Sequence, residues 1–234
     1  MWRRKTMKTA LSFIITLCMT IPPALFAQTT QPAASRAGTP GEQWDQRFDR
    51  AMYLYGKEPV AFLKEKAGLL KKGKTLCLAA GEGRNAVYLA QQGFDVTALD
   101  ASKKGLEKCT ALAKQRGVTV KTIVADLSDY DMGKEQYDLI TDFYYHDQKM
   151  FPKIMAALKP GGMFIMQNFS IDQTKTNRFG PKNPAYLVKP NEVLSHFSGY
   201  RILHYEDTVV NLDEGMHQGA GAVVRLIVVK EGVE

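Results

Sequence analysis

From Lys74 onward, short apolar runs alternate with amphipathic stretches, and the spacing of each predicts an element. Thr75–Ala80 reads as a buried strand that ends at Gly81-Glu82-Gly83, and Asn85–Gln92 as a helix closed by Gly93. Phe94–Leu99 is a second strand ending at Asp100. Ser102 caps a helix over Lys103–Gln115, and Gly117 stops it. Val118–Val124 is a third strand running to Asp126, and Tyr137–Thr141 a fourth. A helix over Gln148–Leu158 and a Lys159-Pro160-Gly161-Gly162 turn lead into a fifth strand, Met163–Asn168. Arg201–Val210 and Ala222–Lys230 are strand-like runs around a Gly-rich loop with no helix between them, and read as an antiparallel hairpin. Strands alternating with helices imply parallel strands joined by right-handed crossovers. The expected fold is therefore α/β: a doubly wound, mostly parallel sheet of seven strands that ends in an antiparallel hairpin.

Ahead of this pattern the chain changes character. Residues 1–27 hold Arg3, Arg4, Lys5 and Lys8 and no acid, then the apolar run Ala10–Ile21, then Pro22-Pro23 and Ala24-Leu25-Phe26-Ala27. The charged, apolar, small-residue order is that of an export signal with a cut after Ala27, and it predicts a periplasmic destination. The apolar run is well short of the ~20 residues a spanning helix needs, so no stable membrane span is expected after signal removal; an uncleaved anchor is the alternative. Arg3-Arg4 with Lys8 resembles a twin-arginine signal, although Thr6 departs from it. Residues 28–41 are rich in Gln, Thr, Ala, Pro and Gly and read as a flexible linker, with the folded domain over 42–234 and its N-terminal segment over 42–73.

The signal also corrects the charge. The whole chain carries 31 basic and 24 acidic residues, net +7; without residues 1–27 the balance is 27 to 24, or +3. No basic cluster interleaved with aromatics remains, so a nucleic-acid partner is not expected. With 45% hydrophobic and 24% charged residues, the composition excludes a wholly disordered chain. Cys77 and Cys109 sit in apolar settings and read as buried, unpaired thiols; no zinc-type spacing is present, so no metal is expected.

In open α/β sheets ligands bind beyond the carboxyl ends of the strands. Those ends carry Gly81-Glu82-Gly83, Asp100, Asp126 and the run Asp142-Phe143-Tyr144-Tyr145-His146. Glycines let backbone approach a ligand, and a carboxylate after the second strand can accept the hydroxyls of a ribose. One after the third can reach an adenine amino group, although Asp126 alone reads equally well as a turn former. Together these placements favour an adenosine-containing ligand. Gly81-Glu82-Gly83-Arg84-Asn85-Ala86 also satisfies the G-x-G-x-x-A fingerprint, which keeps an NAD(P)-linked oxidoreductase open.

The strings LCLAAGEGRNAVYLA (Leu76–Ala90), FDVTALDAS, ADL, LKPGG and EGMHQGAGAVVRLIVVK resemble the seven-stranded S-adenosyl-L-methionine-dependent methyltransferases. With WDQRF and YLYG they resemble most the tellurite-resistance and thiopurine-methyltransferase-like branch, from about Trp44 to Lys230. The resemblance implies methyl transfer from S-adenosyl-L-methionine to a small-molecule acceptor, in the branch's chemistry a thiol or other chalcogen nucleophile. It implies that Gly81 and Gly83, with Asn85, lie at the methionine part of the cofactor. Asp100 with Ala101 would hold the ribose, Asp126 with Leu127 the adenine, and Asp142 would join this set. Trp44, Arg47, Phe48, Tyr55 and Gly56 would form a lid; the alternative is a surface helix packing aromatics onto the core. On the acceptor side stand His146, as base or as a residue that fixes the strand-four loop, and Tyr144. Glu214 and His217 complete that side from the hairpin loop Asn211–Gly221, where a plain polar turn is the alternative. Cys77 departs from the branch, which usually has an acid there, and this keeps a non-catalytic binding protein open. Neither the acceptor's identity nor an oligomeric state is legible.

Overall fold

The computed structural model describes residues 38–176 and 179–231. The expected export signal, and the linker as far as residue 37, lie outside the described residues. Among those described, no helix is long and apolar enough to cross a membrane.

Folding starts slightly earlier than the sequence pattern indicates. Helix α1 covers Pro40–Phe48, with a capping box in which the Thr39 hydroxyl and the Glu42 carboxylate each take the other's backbone N–H. The last residues of the expected linker are thus the helix cap and first turn. Helix α2 (Ala61–Lys66) follows, and then the sheet strands: β1 (Lys74–Leu78), β2 (Asp95–Asp100), β3 (Lys121–Val124), β4 (Tyr137–Phe143), β5 (Leu158–Phe169), β6 (Arg201–Glu214) and β7 (His217–Val229). Between them lie α3 (Arg84–Gln91), α4 (Lys103–Gln115), α5 (Met150–Ala157) and α6 (Glu192–Phe197).

The seven strands run in the order β3-β2-β1-β4-β5-β7-β6. The first five are parallel neighbours, and β7 enters antiparallel between β5 and β6. This inserted strand separates the architecture from the all-parallel dinucleotide fold. The order reverses between β1 and β4, where Leu78 pairs with Asp142, so the switch point falls at the loop beginning Ala79.

Period-two alternation sends the strand residues to opposite faces. One face packs Cys77, Ala98, Leu139 and Ile165 under α2, α3 and α4. The other packs Leu76, Leu99, Ile140 and Phe164 under α5 and α6. With both faces covered, the central strands read as continuous apolar runs, as the sequence does.

Three expected boundaries shift. Residues 118–120 are not strand, because Val118 N–H still donates to Ala113 O at the exit of α4. Lys159–Gly162 is not a free turn: it lies at the start of β5 against a register shift in β4, and Gly161 N–H donates to Lys230 O. The loop expected over Asn211–Gly221 is almost entirely ladder. Glu214 pairs with His217 across only Gly215 and Met216. The glycines suggest a loop, but Gly221 pairs with Val210 in the ladder, where a side chain would press into Leu212.

Candidate active site

The loop after β1 sits at the switch point, and every polar side chain in it is committed. Asp100 accepts Gly81 N–H through Oδ2 and Ser102 N–H through Oδ1, both at 2.7 Å. Burial raises its pKa against the pull of those two bonds. Glu82 takes the N–H groups of Leu54 at 2.7 Å and Tyr55 at 3.3 Å, and pairs with Lys108, which also donates to Phe48 O and Met52 O. Asn85 Oδ1 accepts Val60 N–H at 2.9 Å. Asn85, on the first turn of α3 and expected at the cofactor, thus uses its carbonyl oxygen to hold the N-terminal segment.

Arg84, which the sequence pattern did not single out, is the centre of the arrangement. Its Nη1 donates to Tyr55 O at 3.0 Å and its Nη2 to Glu214 Oε2 at 3.1 Å, with both side chains buried. Tyr144 O–H donates to the same Glu214 oxygen at 2.8 Å, and Gln167 donates to the Tyr144 hydroxyl. Gln167 in turn accepts from Arg225, which reaches Glu206. Only the repeated pairing of buried acid and base marks such a network, and no local spacing reveals it. Burial and the adjacent Glu214 carboxylate push the Tyr144 hydroxyl well above its usual pKa, so it stays a donor.

Around this network the aromatic rings form one series. Trp44 stacks on Phe48 at 5.4 Å with the Arg47 guanidinium over the Trp44 ring at 4.9 Å, and Phe48 meets Tyr55 edge-on. Tyr55, Tyr144, Phe169 and Phe179 surround His217, with centroids 4.6–5.6 Å away. Desolvation, reinforced by the Arg84 charge, lowers the His217 pKa to about 4. Its Nδ1 is buried with no hydrogen-bond partner.

Residues 41–61 pass over the loop as a strap. The Phe48 ring lies on Gly81 and Gly105, Gly41 lies on Ala101 O, and Asp45 accepts from Ser102 Oγ and Lys104 N. Gly56 meets Gly215, where any side chain would overlap the Tyr55 backbone. Gly83 is held as tightly. Its φ is +87° and a Cβ would overlap the Cys109 sulfur. Gly83→Ala is expected to cost about 1–3 kcal/mol by overpacking alone, read as a lower urea midpoint at unchanged slope; an unchanged midpoint would remove this packing account.

Of the expected site residues, the structure gathers Trp44, Arg47, Tyr55, Gly56, Gly81, Gly83, Asp100, Ala101, Tyr144, Glu214 and His217 at this end of the sheet. His146 is elsewhere. Its Nε2 lies 3.0 Å from Glu192 on α6, beside Phe151, and burial lowers its pKa. Of its two expected readings, base or loop-fixing residue, this contact is the geometry of the second. Asp126 spends Oδ1 on the N–H and hydroxyl of Ser128, as a turn former does. Leu127 is buried among the α5-side residues. Cys77 and Cys109 are free buried thiols, each pushed up to about 12.

The sequence model of the tellurite resistance protein TehB family matches residues 58–229. The chain belongs to the TehB family. The probable S-adenosyl-L-methionine-dependent methyltransferase TehB of Haemophilus influenzae is 22% identical over 161 residues, covering 65% of this chain and 54% of that protein. A ubiquinone biosynthesis O-methyltransferase of Rickettsia conorii is 30% identical over 135 residues, covering 55% and 46%. The chain thus spans about half the length of these curated relatives. The crystal structure of TehB from Haemophilus influenzae superposes with a TM-score of 0.61 at 16% identity, over 82% of this chain and 67% of that one. A structure solved for the conversion of a disulfide bond into a thioacetal group during echinomycin biosynthesis gives 0.62 at 20% identity, over 82% and 93%. The fold of this TehB-family chain is that of the S-adenosyl-L-methionine-dependent methyltransferases, the fold expected from its sequence.

The site's chemistry fits that cofactor. Small residues line the loop, Asp100 keeps a second lone pair on each oxygen for hydroxyl donors, and the rings of Tyr55 and Tyr144 stand at the same end of the sheet.

Proposed function

We propose that this chain is an S-adenosyl-L-methionine-dependent methyltransferase acting on a small molecule through a thiol or other chalcogen nucleophile. Gly81, Gly83, Asp100, Ala101, Asp126 and Leu127 would hold the cofactor, and residues Trp44–Gly56 would close over it. When bound, the cofactor supplies a methyl group made electrophilic by the sulfonium. The chain's own task is to align a nucleophile and exclude water, and alignment is worth roughly 7–11 kcal/mol in favourable cases. The aromatic faces of Tyr55 and Tyr144 would each stabilise a neighbouring cation by about 0.5–2 kcal/mol.

The observation that carries the reading is His217. A ring with its pKa at about 4 is neutral at pH 7, so it is a weak base but a ready hydrogen-bond partner. Its orphaned Nδ1, enclosed by four aromatic rings, suits a polarisable acceptor that needs orientation more than deprotonation. A thiolate, the minor form of a thiol whose free pKa is roughly 8.5, is such an acceptor once its proton has passed to solvent. Tyr144 and Glu214 would fix the wall of this pocket.

Calorimetric titration with S-adenosylhomocysteine, with NADH as control, tests the cofactor class; saturable micromolar binding of the first alone is expected. An acceptor screen should then show methylation of thiols or of selenium and tellurium anions, and turnover confined to oxygen or nitrogen acceptors would overturn the chalcogen assignment. The layout of residues 1–27 supports export to the periplasm. Cytosolic retention of a reporter fused after Ala27 would reject it.

A further inference from the structure

The polar residues of the glycine motif after β1 turn to the strap. Glu82 stands between Gly81 and Gly83, both of positive φ, and its side chain is only 3% exposed. Its Oε2 accepts Leu54 N–H at 2.7 Å and Tyr55 N–H at 3.3 Å, and its Oε1 pairs with Lys108 on α4. Lys108 Nζ donates to Met52 O at 2.6 Å and to Phe48 O at 3.3 Å, and the Lys108 carbonyl accepts the Tyr53 hydroxyl at 3.0 Å. Arg84 holds Tyr55 O, and Asn85 holds Val60 N–H.

Residues 49–60 belong to no helix or strand, so partners for their backbone groups must come from elsewhere. One ion pair supplies Phe48 O, Met52 O, Leu54 N–H and Tyr55 N–H. Both carboxylate oxygens of Glu82 are thereby spent on the protein. Any influence of Glu82 on a ligand must travel through the strap.

We infer that Glu82 is a positioning residue: with Lys108 it latches the strap over the cofactor loop, and the latch sets how fast the site opens. The inference rests on the cofactor reading above and deepens it. The carboxylate is carried by the loop that would touch the cofactor, so loop and strap are tied into one unit. Removing it leaves the Leu54 and Tyr55 amides without an acceptor while the strap is down. Water satisfies them once the strap lifts, so the lifted state gains population.

The test is the dissociation rate of S-adenosylhomocysteine and of methylthioadenosine from the full chain, by stopped flow. Glu82→Gln keeps one acceptor oxygen and removes the charge; Lys108→Met breaks the latch from α4 without touching the loop. Both ligands should leave each variant at least ~tenfold faster, the effect of losing one hydrogen bond to a charged group. Glu82→Ala should exceed Glu82→Gln. A residue that served only global stability would leave both rates unchanged, because the unfolded chain is not on the path of release. Unchanged rates in the folded variants would overturn the inference. So would acceleration confined to S-adenosylhomocysteine, since a group bonded directly to its amino-acid end would act on that ligand alone. Without any ligand, trypsin should cut after the exposed Arg50 or Lys57 ~tenfold faster in the variants, and before any cut between β1 and β7; a sheet cut as early as the strap would overturn the latch. No binding of S-adenosylhomocysteine by the folded wild-type protein would overturn the cofactor reading, and the tryptic cut would then decide the latch by itself.

Discussion

Asp100→Ala is expected to lower affinity for S-adenosylhomocysteine by about 100-fold or more. The carboxylate does two jobs whose losses compound. It would accept the ribose hydroxyls, and it already accepts Gly81 and Ser102 N–H at 2.7 Å. Hydrogen bonds to a charged group are each worth about 1.5–3 kcal/mol, and 2.7 kcal/mol is roughly 100-fold. The loop it anchors cannot rest on its own, because Ala79 (φ 46°) and Gly81 (φ 52°) lie in the left-handed region, where Ala79 has a Cβ to accommodate. Calorimetry with Ala and Asn variants separates the two jobs. Asn keeps one acceptor oxygen and should lose less. An Ala variant that is folded and binds within threefold of wild type would remove Asp100 from the site.

The second large effect is on stability. Arg84→Met is expected to cost about 3–5 kcal/mol, since it strands Glu214 with only the Tyr144 hydroxyl and a long bond from Ala61 N–H. At this size a kilocalorie moves Tm by roughly 2–4 °C, so a fall of about 6–20 °C should be seen. Adding Glu214→Leu should recover part of it, because the pair's worth lies mostly in not leaving one charge behind. A double variant no more stable than Arg84→Met alone would show that Arg84 acts through Tyr55 and not through Glu214.

These two residues also show what the sequence could disclose. Asp100 was legible because its evidence is local: an apolar run must end somewhere, and an acid at that end is visible. The five parallel strands were legible for the same reason. Arg84 was not, because its partners Tyr55 and Glu214 lie 29 and 130 positions away and nothing in the spacing of Gly81–Ala86 names them. The same gap hides a partner of Asn85: its place in a glycine motif points to a ligand, and nothing in that spacing names Val60, whose N–H its side chain accepts. His146 shows the complement. Its position after β4 was right, but the direction of its ring is set by Glu192 on α6, a short helix with a weak sequence signal. The hairpin was found and its loop overdrawn, because glycine marks close packing in a strand as readily as it marks a turn.

The strap and the hairpin hold each other: Met216 N–H donates to Leu54 O, Ala61 N–H to Glu214, and Gly215 fits against Tyr55 only because it has no side chain. Ala61 and Glu214 are separated by 153 positions. On a ribosome adding roughly 5–20 residues each second, the strap therefore emerges on the order of ten seconds before its clasp. Throughout that interval Val60, Phe62 and Leu63 lack part of their cover, and a nascent chain in this state is a natural client for a chaperone.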